Sequence, residues 1–213
     1  MNDSLSMPPG LRERKKADTR LMISNVATRL FIARGFEAVS VDEVAVAAGV
    51  SRKTVFNYFP RKEDLLFDRE EEGRALVRDA IAARGPRSPV HAFQDLMRRL
   101  QQSGHPLLRI SARPVTFWFA VAASPALTAR ARELQVTLGD ELAALLAAAI
   151  GRPPQDPQAR LAATLLMGTL VVAYTDALAA VLADRSPEAA FVAVMERGFT
   201  GVDAALAGTP LVG

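Results

Sequence analysis

SVDEVAVAAGVSRKTVFNY, residues 40–58, holds two helix starts and one helix stop within nineteen positions. Ser40 and Glu43 stand at capping-box spacing, where the hydroxyl accepts the N–H of the third helical residue and the carboxylate reaches back to the cap's own N–H. Val44, Ala45 and Ala48 follow on one face, and Ala48-Gly49-Val50 ends the helix. Ser51 then caps a second short helix, Arg52 to Tyr58. Val55 and Phe59 point to a core, which leaves Arg52, Lys53, Thr54, Asn57 and Tyr58 outward. Two short helices joined by a glycine turn make a helix-turn-helix, whose second helix offers its N-terminal residues to the major groove.

Outward from this stretch the chain stays helical. Upstream, Ile23, Val26, Ala27, Leu30 and Phe31 recur at three- and four-residue spacing in a helix from about Lys16 to Arg34, stopped by Gly35. Downstream, Phe59-Pro60-Arg61 closes the head before a long fourth helix expected over 63–84. Four later helices start at a capping residue followed by proline: Ser88-Pro89, Ser124-Pro125, Asp156-Pro157 and Ser186-Pro187. The side chain satisfies an orphan N–H, and proline at the first helical position loses nothing. The reading gives helices near 89–103, 107–123 (with a break at Pro114), 125–150, 157–183 and 187–207. No segment alternates as a strand does. The fold class is all-α: a three-helix helix-turn-helix domain over 1–62, with a basic arm at 1–15, then a larger helical ligand-binding and dimerisation domain over 63–213.

Charge supports that division. Residues 1–62 carry 11 Lys or Arg against 6 Asp or Glu, whereas 63–213 carry 15 against 17. Lys15, Lys16, Lys53 and Lys62 are the only lysines, all in the first segment. A basic head on a mildly acidic body is the layout expected if the head alone meets a polyanion. The absence of cysteine excludes disulfides and thiolate metal ligands and points to a cytoplasmic protein. Two histidines, no phosphate-cradling glycine loop and no carboxylates with obvious paired positions leave little material for a metal site and make an all-helical enzyme the weakest reading, so no enzyme, metal or cofactor is expected. Leu161–Ala183 is long enough for a bilayer, but its alanine and threonine content and Asp176 favour a buried or dimer-forming helix, so no membrane is expected.

Residues 16–67 resemble the N-terminal domain of the TetR family of transcriptional regulators. The likeness lies in Phe31, Arg34-Gly35-Phe36, the Ser40–Val44 cap and core, Gly49-Val50-Ser51, the run Thr54-Val55-Phe56-Asn57-Tyr58-Phe59, and Lys62-Glu63-Asp64-Leu65-Leu66. The resemblance implies a helical C-terminal domain, dimerisation through the last two long helices and an effector pocket in the body.

The expected DNA-binding set is Ser40, Arg52, Lys53, Thr54, Phe56, Asn57, Tyr58 and Lys62. Arg52 and Lys53 can donate to guanine O6 and N7. By resemblance, Thr54 and Tyr58 donate to phosphates, and Phe56 contacts a thymine methyl or packs. Lys62, opening the fourth helix, should reach a phosphate. Lys15, Lys16 and Arg20 read as a flexible basic arm. Phe93, Met97, Phe117, Trp118, Met167 and Tyr174 are pocket candidates, with Asp176, Thr116 or Gln94 as polar handles, though aromatics and Met at helical spacing equally make ordinary core. His91 and His105 read as surface residues. Val171, Leu178, Phe191, Met195, Phe199 and Val202 are the expected dimer interface. The function expected is a repressor released from a palindromic double-stranded DNA operator by a small hydrophobic or aromatic effector, acting as a homodimer. A regulator without such an effector, answering to a protein partner or working as an activator, stays open. The fourth helix, with Gly73 as its soft point, is the expected link from body to head.

Overall fold

The computed structural model describes residues 10–108, 119 and 121–213, without the side chains of 11–13. It divides into two compact units, Met1–Asp68 and Arg69–Gly213.

The first unit holds α1 (Leu11–Arg34), α2 (Val41–Ala47) and α3 (Arg52–Tyr58), then a 3-10 turn at Glu63–Leu65. Helix α1 starts five residues earlier than its apolar periodicity predicts, so Lys15 and Lys16 lie on a helix rather than in a flexible arm. It ends where Gly35 turns to φ 86°, a left-handed conformation that glycine adopts without Cβ strain. Around α2 the cap forms as expected: the Ser40 N–H donates to Glu43 Oε2 at 2.8 Å and the Glu43 N–H to Ser40 Oγ at 3.2 Å. Its end is a Schellman turn, with Gly49 at φ 67° and the Val50 N–H on the Ala45 carbonyl at 3.0 Å. Ser51 caps α3 by accepting the Thr54 N–H at 3.0 Å. Ile23, Ala27, Phe31, Val44, Val55, Phe59 and Leu65 fill the core, where Phe31 and Phe36 meet edge to face at 5.0 Å.

The second unit holds α4 (Glu70–Ala82), α5 (Pro89–Gln102), α6 (Pro125–Ala149), α7 (Pro157–Leu182) and α8 (Pro187–Ala205). All four Ser-Pro and Asp-Pro starts appear, with Ser88, Ser124, Asp156 and Ser186 each accepting an N–H three residues on. The predicted helix 107–123 falls largely outside the described residues, Pro114 included. The fourth helix differs from expectation: it begins at Glu70, and a 3-10 turn and non-helical residues 66–69 replace its predicted first turns. Glu70, Glu71 and Glu72 favour the positive end of a helix starting there. No single helix therefore runs from head to body. A Cβ on Gly73 would meet the Leu107 side chain at 3.9 Å, an ordinary contact, so close packing does not require glycine there.

Helices α7 and α8 pack through small residues. Ala159, Ala162, Ala163, Ala173, Ala177 and Ala180 are buried along α7, and a Cβ on Gly198 would collide with the Thr169 side chain. Phe191, Met195, Phe199 and Val202 from α8 complete the core with Phe93, Met97, Leu146 and Leu166. Arg98 on α5 grips Glu196 on α8 through two hydrogen bonds of 2.9 and 2.8 Å. That pairing lowers the Glu196 carboxyl and raises Arg98 from their ordinary values.

Candidate nucleic-acid interface

The inner face of α3 is locked and its outer face is open. Val55 and Phe59 are buried, while Arg52, Lys53, Phe56 and Asn57 are exposed, Phe56 by 39 %. Thr54 and Tyr58, expected outward, are half-buried, and the Thr54 hydroxyl shares a 2.8 Å hydrogen bond with Ser51. Both ends of the helix are held. Ser51 caps the start, and Arg20 Nη1 donates to the Tyr58 carbonyl at 2.6 Å while its guanidinium lies 4.3 Å from the Phe59 ring centre. Arg20 is thus no flexible cation: it satisfies a terminal carbonyl of the recognition helix and stacks on the residue that anchors it. No local pattern reveals this bond, which spans 38 positions.

Lys62 also departs from expectation. It precedes a 3-10 turn rather than opening a long helix, and its Nζ donates to the Phe36 carbonyl at 2.6 Å, with the Phe36 ring centre 4.2 Å away. One ammonium N–H is thus committed inside the head, and two remain for a phosphate. Ser40 is the cap of α2, its hydroxyl donating to Glu43 Oε2 at 3.0 Å. Glu43 also meets Arg34 at 2.8 Å. The Ser40 backbone N–H, then Arg34 and the Ser40 hydroxyl, hold the Glu43 carboxyl at about 2, well below the usual carboxylate range. Arg52 Nη1 lies 3.0 Å from Asp42 Oδ2, and its guanidinium stands 5.5 Å from the Phe56 ring centre.

In the body the expected ligand and dimer residues separate. Phe93 and Met97 are buried core, and Met167 and Tyr174 pack against it half-buried. The Tyr174 hydroxyl donates to the Leu107 carbonyl at 2.7 Å, and burial pushes its pKa up. Gln94 is buried and donates to Asp203 at 2.8 Å. Phe117, Trp118 and Thr116 lie outside the described residues. Asp176 is not inside an apolar site: it sits 41 % exposed at 4.0 Å from Arg185, because its register on α7 falls beside the outer face. His91 and His105 are half-buried, each with a carboxylate nearby, Asp203 at 3.5 Å and Glu72 at 3.6 Å.

Phe191, Met195, Phe199 and Val202 form no outward seam. They point into their own unit, because the stripe they share is the face α8 needs for its own core. Val171 stays exposed and Leu178 is half-buried. The open apolar face belongs instead to α7, where Leu161, Val171, Val172 (54 %) and Leu182 (74 %) are exposed. Among the described residues α7 is the one helix long and apolar enough to cross a membrane by length and composition, and its alanine face is packed in the body.

Among the described residues the fold is all-helical, and a capped helix-turn-helix with an outward cationic face on its second helix is the form of a DNA-binding head. Residues 23–68 match the sequence profile of the bacterial regulatory proteins of the tetR family. Over these residues, about a fifth of its length, the chain is similar to the TetR family. It is 49 % identical over 49 residues, 23 % of this chain and 25 % of the relative, to a Mycobacterium tuberculosis protein named as a candidate mycofactocin biosynthesis transcriptional regulator, MftR. It is 40 % identical over 57 residues, 27 % of this chain and 25 % of the relative, to the HTH-type transcriptional regulator TcmR of Streptomyces glaucescens. The matches span about a quarter of the length of these curated relatives, which are named as regulators and not as enzymes. Over both units, the solved structure of Thermus thermophilus FadR, a TetR-family transcriptional repressor in complex with lauroyl-CoA, is similar at TM-score 0.53 and 26 % identity, covering 86 % of this chain and 92 % of that one.

Proposed function

We propose that the protein is a cytoplasmic homodimeric repressor that binds a palindromic operator through α3 and is released by a small, largely hydrophobic ligand held in the 69–213 body. The observation that carries the DNA-binding part is the outward face of α3. Arg52, Lys53, Phe56 and Asn57 are open on a helix fixed at both ends, the pre-organisation that groove reading requires. Thr54 and Tyr58, at the edges of that face, and Lys62, through its remaining donors, are assigned to phosphates; Ser40 holds α2 beside them. Dimerisation is supported by the apolar outer face of α7, whose Leu161, Val171, Val172 and Leu182 stay exposed within one chain. This face fits a second copy because a two-fold interface pairs one surface with itself.

The ligand reading draws on the likeness to FadR, which was solved with lauroyl-CoA. Met167 and Tyr174, half-buried at the edge of the body core, are the described residues best placed to meet such a ligand. The alternative, a regulator without a small effector, draws on Phe93 and Met97, which the chain already buries against its own core. Selection of fragments from random duplex DNA, repeated with fatty acyl and aromatic ligands, tests both parts. An enriched inverted repeat that acyl or aromatic ligands release supports the repressor. An enriched repeat that no ligand releases leaves the effector-free regulator, and no enrichment ends the DNA-binding reading.

A further inference from the structure

Arg52 and Lys53 are consecutive exposed cations, yet they are held differently. Arg52 is fixed on two sides, by Asp42 Oδ2 at 3.0 Å and by the Phe56 ring at 5.5 Å. Lys53 makes no hydrogen bond or ion pair with the described residues. The Arg52–Asp42 pair is 62 % and 60 % exposed, so it adds little to folding. A carboxylate on the surface that approaches a polyanion also costs affinity, unless it does something there.

We propose that Asp42 is a positioning residue that presents Arg52 to the O6 and N7 edge of a guanine, leaving Lys53 to the phosphate backbone. The proposal rests on the DNA-binding reading above. A guanidinium carries five N–H donors in a rigid fork, and Asp42 engages one nitrogen, so the fork keeps enough donors for a bidentate base contact. An arginine clamped between a carboxylate and a ring has fewer rotamers to lose on docking than one free in water. Lys53, a point charge on a mobile stem, suits phosphates, whose position it can follow without fixing a base. Asp42 also lowers the appeal of Arg52 to a stray phosphate, because that contact would bring a second anion against the carboxylate. The pair thereby trades non-specific affinity for discrimination.

The test is selection from random duplex DNA, with binding measured across a salt series, for wild type, Asp42→Asn, Asp42→Glu, Arg52→Ala and Lys53→Ala. Melting curves confirm that each variant folds, with Asp42→Ser as a substitute if the amide does not. Asp42→Asn and Arg52→Ala should weaken the same guanine position by roughly tenfold. Asp42→Asn should also bind random DNA more tightly, with a log–log salt slope steeper by about one as the freed arginine finds a phosphate. Asp42→Glu should restore most of the preference. Lys53→Ala should weaken all sequences alike. An unchanged guanine preference in Asp42→Asn overturns the proposal. So does loss of a position that Arg52→Ala retains, because Asp42 would then read a cytosine amino group itself. Wild type that enriches a repeat while Asp42→Asn matches it refutes this inference alone; wild type that enriches nothing refutes the DNA-binding reading and this inference with it.

Discussion

Helices α3 and α7 share a design on their inner faces and part company on their outer ones. Each buries a stripe at three- and four-residue spacing, Val55 and Phe59 at the end of α3, and Ala159 to Ala180 along α7. Outward, α3 shows Arg52, Lys53, Phe56 and Asn57, whereas α7 shows Leu161, Val171, Val172 and Leu182. The inner stripe fixes the fold in both, and the outer residues state what each helix is left to meet. A cationic face suits a polyanion, and an apolar one suits a surface like itself.

The largest expected effect lies on the inner side. Phe199, fully buried in the α7–α8 core, should cost about 3–5 kcal/mol on truncation in Phe199→Ala, read by urea unfolding. The outer side of α7 should respond in another observable. Val172→Glu places a charge on the apolar face without touching the core, so light scattering should show dissociation to one 22.9 kDa chain while helical content persists. If Phe199→Ala dissociates a folded dimer and Val172→Glu does not, the assignment of inner and outer faces is reversed.

Legibility followed locality. The caps at Ser40, Ser51, Ser88, Ser124, Asp156 and Ser186 act within three residues of themselves, so the sequence displays them directly. The cationic face of α3 followed from the same short-range register. Contacts between distant residues left no such mark. Arg20 looked like a loose cation because its acceptor is 38 positions away. Lys62 looked outward because nothing in its neighbourhood names the Phe36 carbonyl. On α8, Phe191 to Val202 showed a stripe but not which body it faces, since a core stripe and an interface stripe have the same period. The break before Glu70 escaped because Leu65 and Leu66, both buried, fit a helical stripe as well as they fit a turn.

A middle-sized effect probes how firmly the open face of α3 is mounted. Arg20→Ala removes the hydrogen bond to the Tyr58 carbonyl and the stacking on Phe59. It should lower the stability of the head by about 1–2 kcal/mol, seen as faster amide exchange in α3. DNA affinity should then fall by more than the loss of one cation explains, and adding salt should not erase the difference. Exchange in α3 that matches wild type would return Arg20 to the role of a plain surface charge.

The smallest effect concerns pH and the cap that sets α2 beside α3. Hydrogen bonds from the Ser40 backbone, Arg34 and the Ser40 hydroxyl hold the Glu43 carboxyl at about 2 in the folded chain, whereas an unfolded glutamate titrates near ~4.3. A folded value below the unfolded one means that the folded state holds this proton less tightly. The carboxylate's contribution is therefore complete above the unfolded value and drains away as pH falls from there toward about 2. Glu43→Gln keeps a side chain able to reach back to the Ser40 N–H but abolishes the charge and the pairing with Arg34. The variant should melt slightly below wild type at neutral pH, and the two melting temperatures should converge between roughly pH 4 and pH 2. Because Glu43 lies at the surface, the gap should be small and should shrink in high salt. A gap that survives unchanged at pH 2 would mean that shape rather than charge holds the cap. A gap that closes above pH 5 would mean that another group titrates in its place.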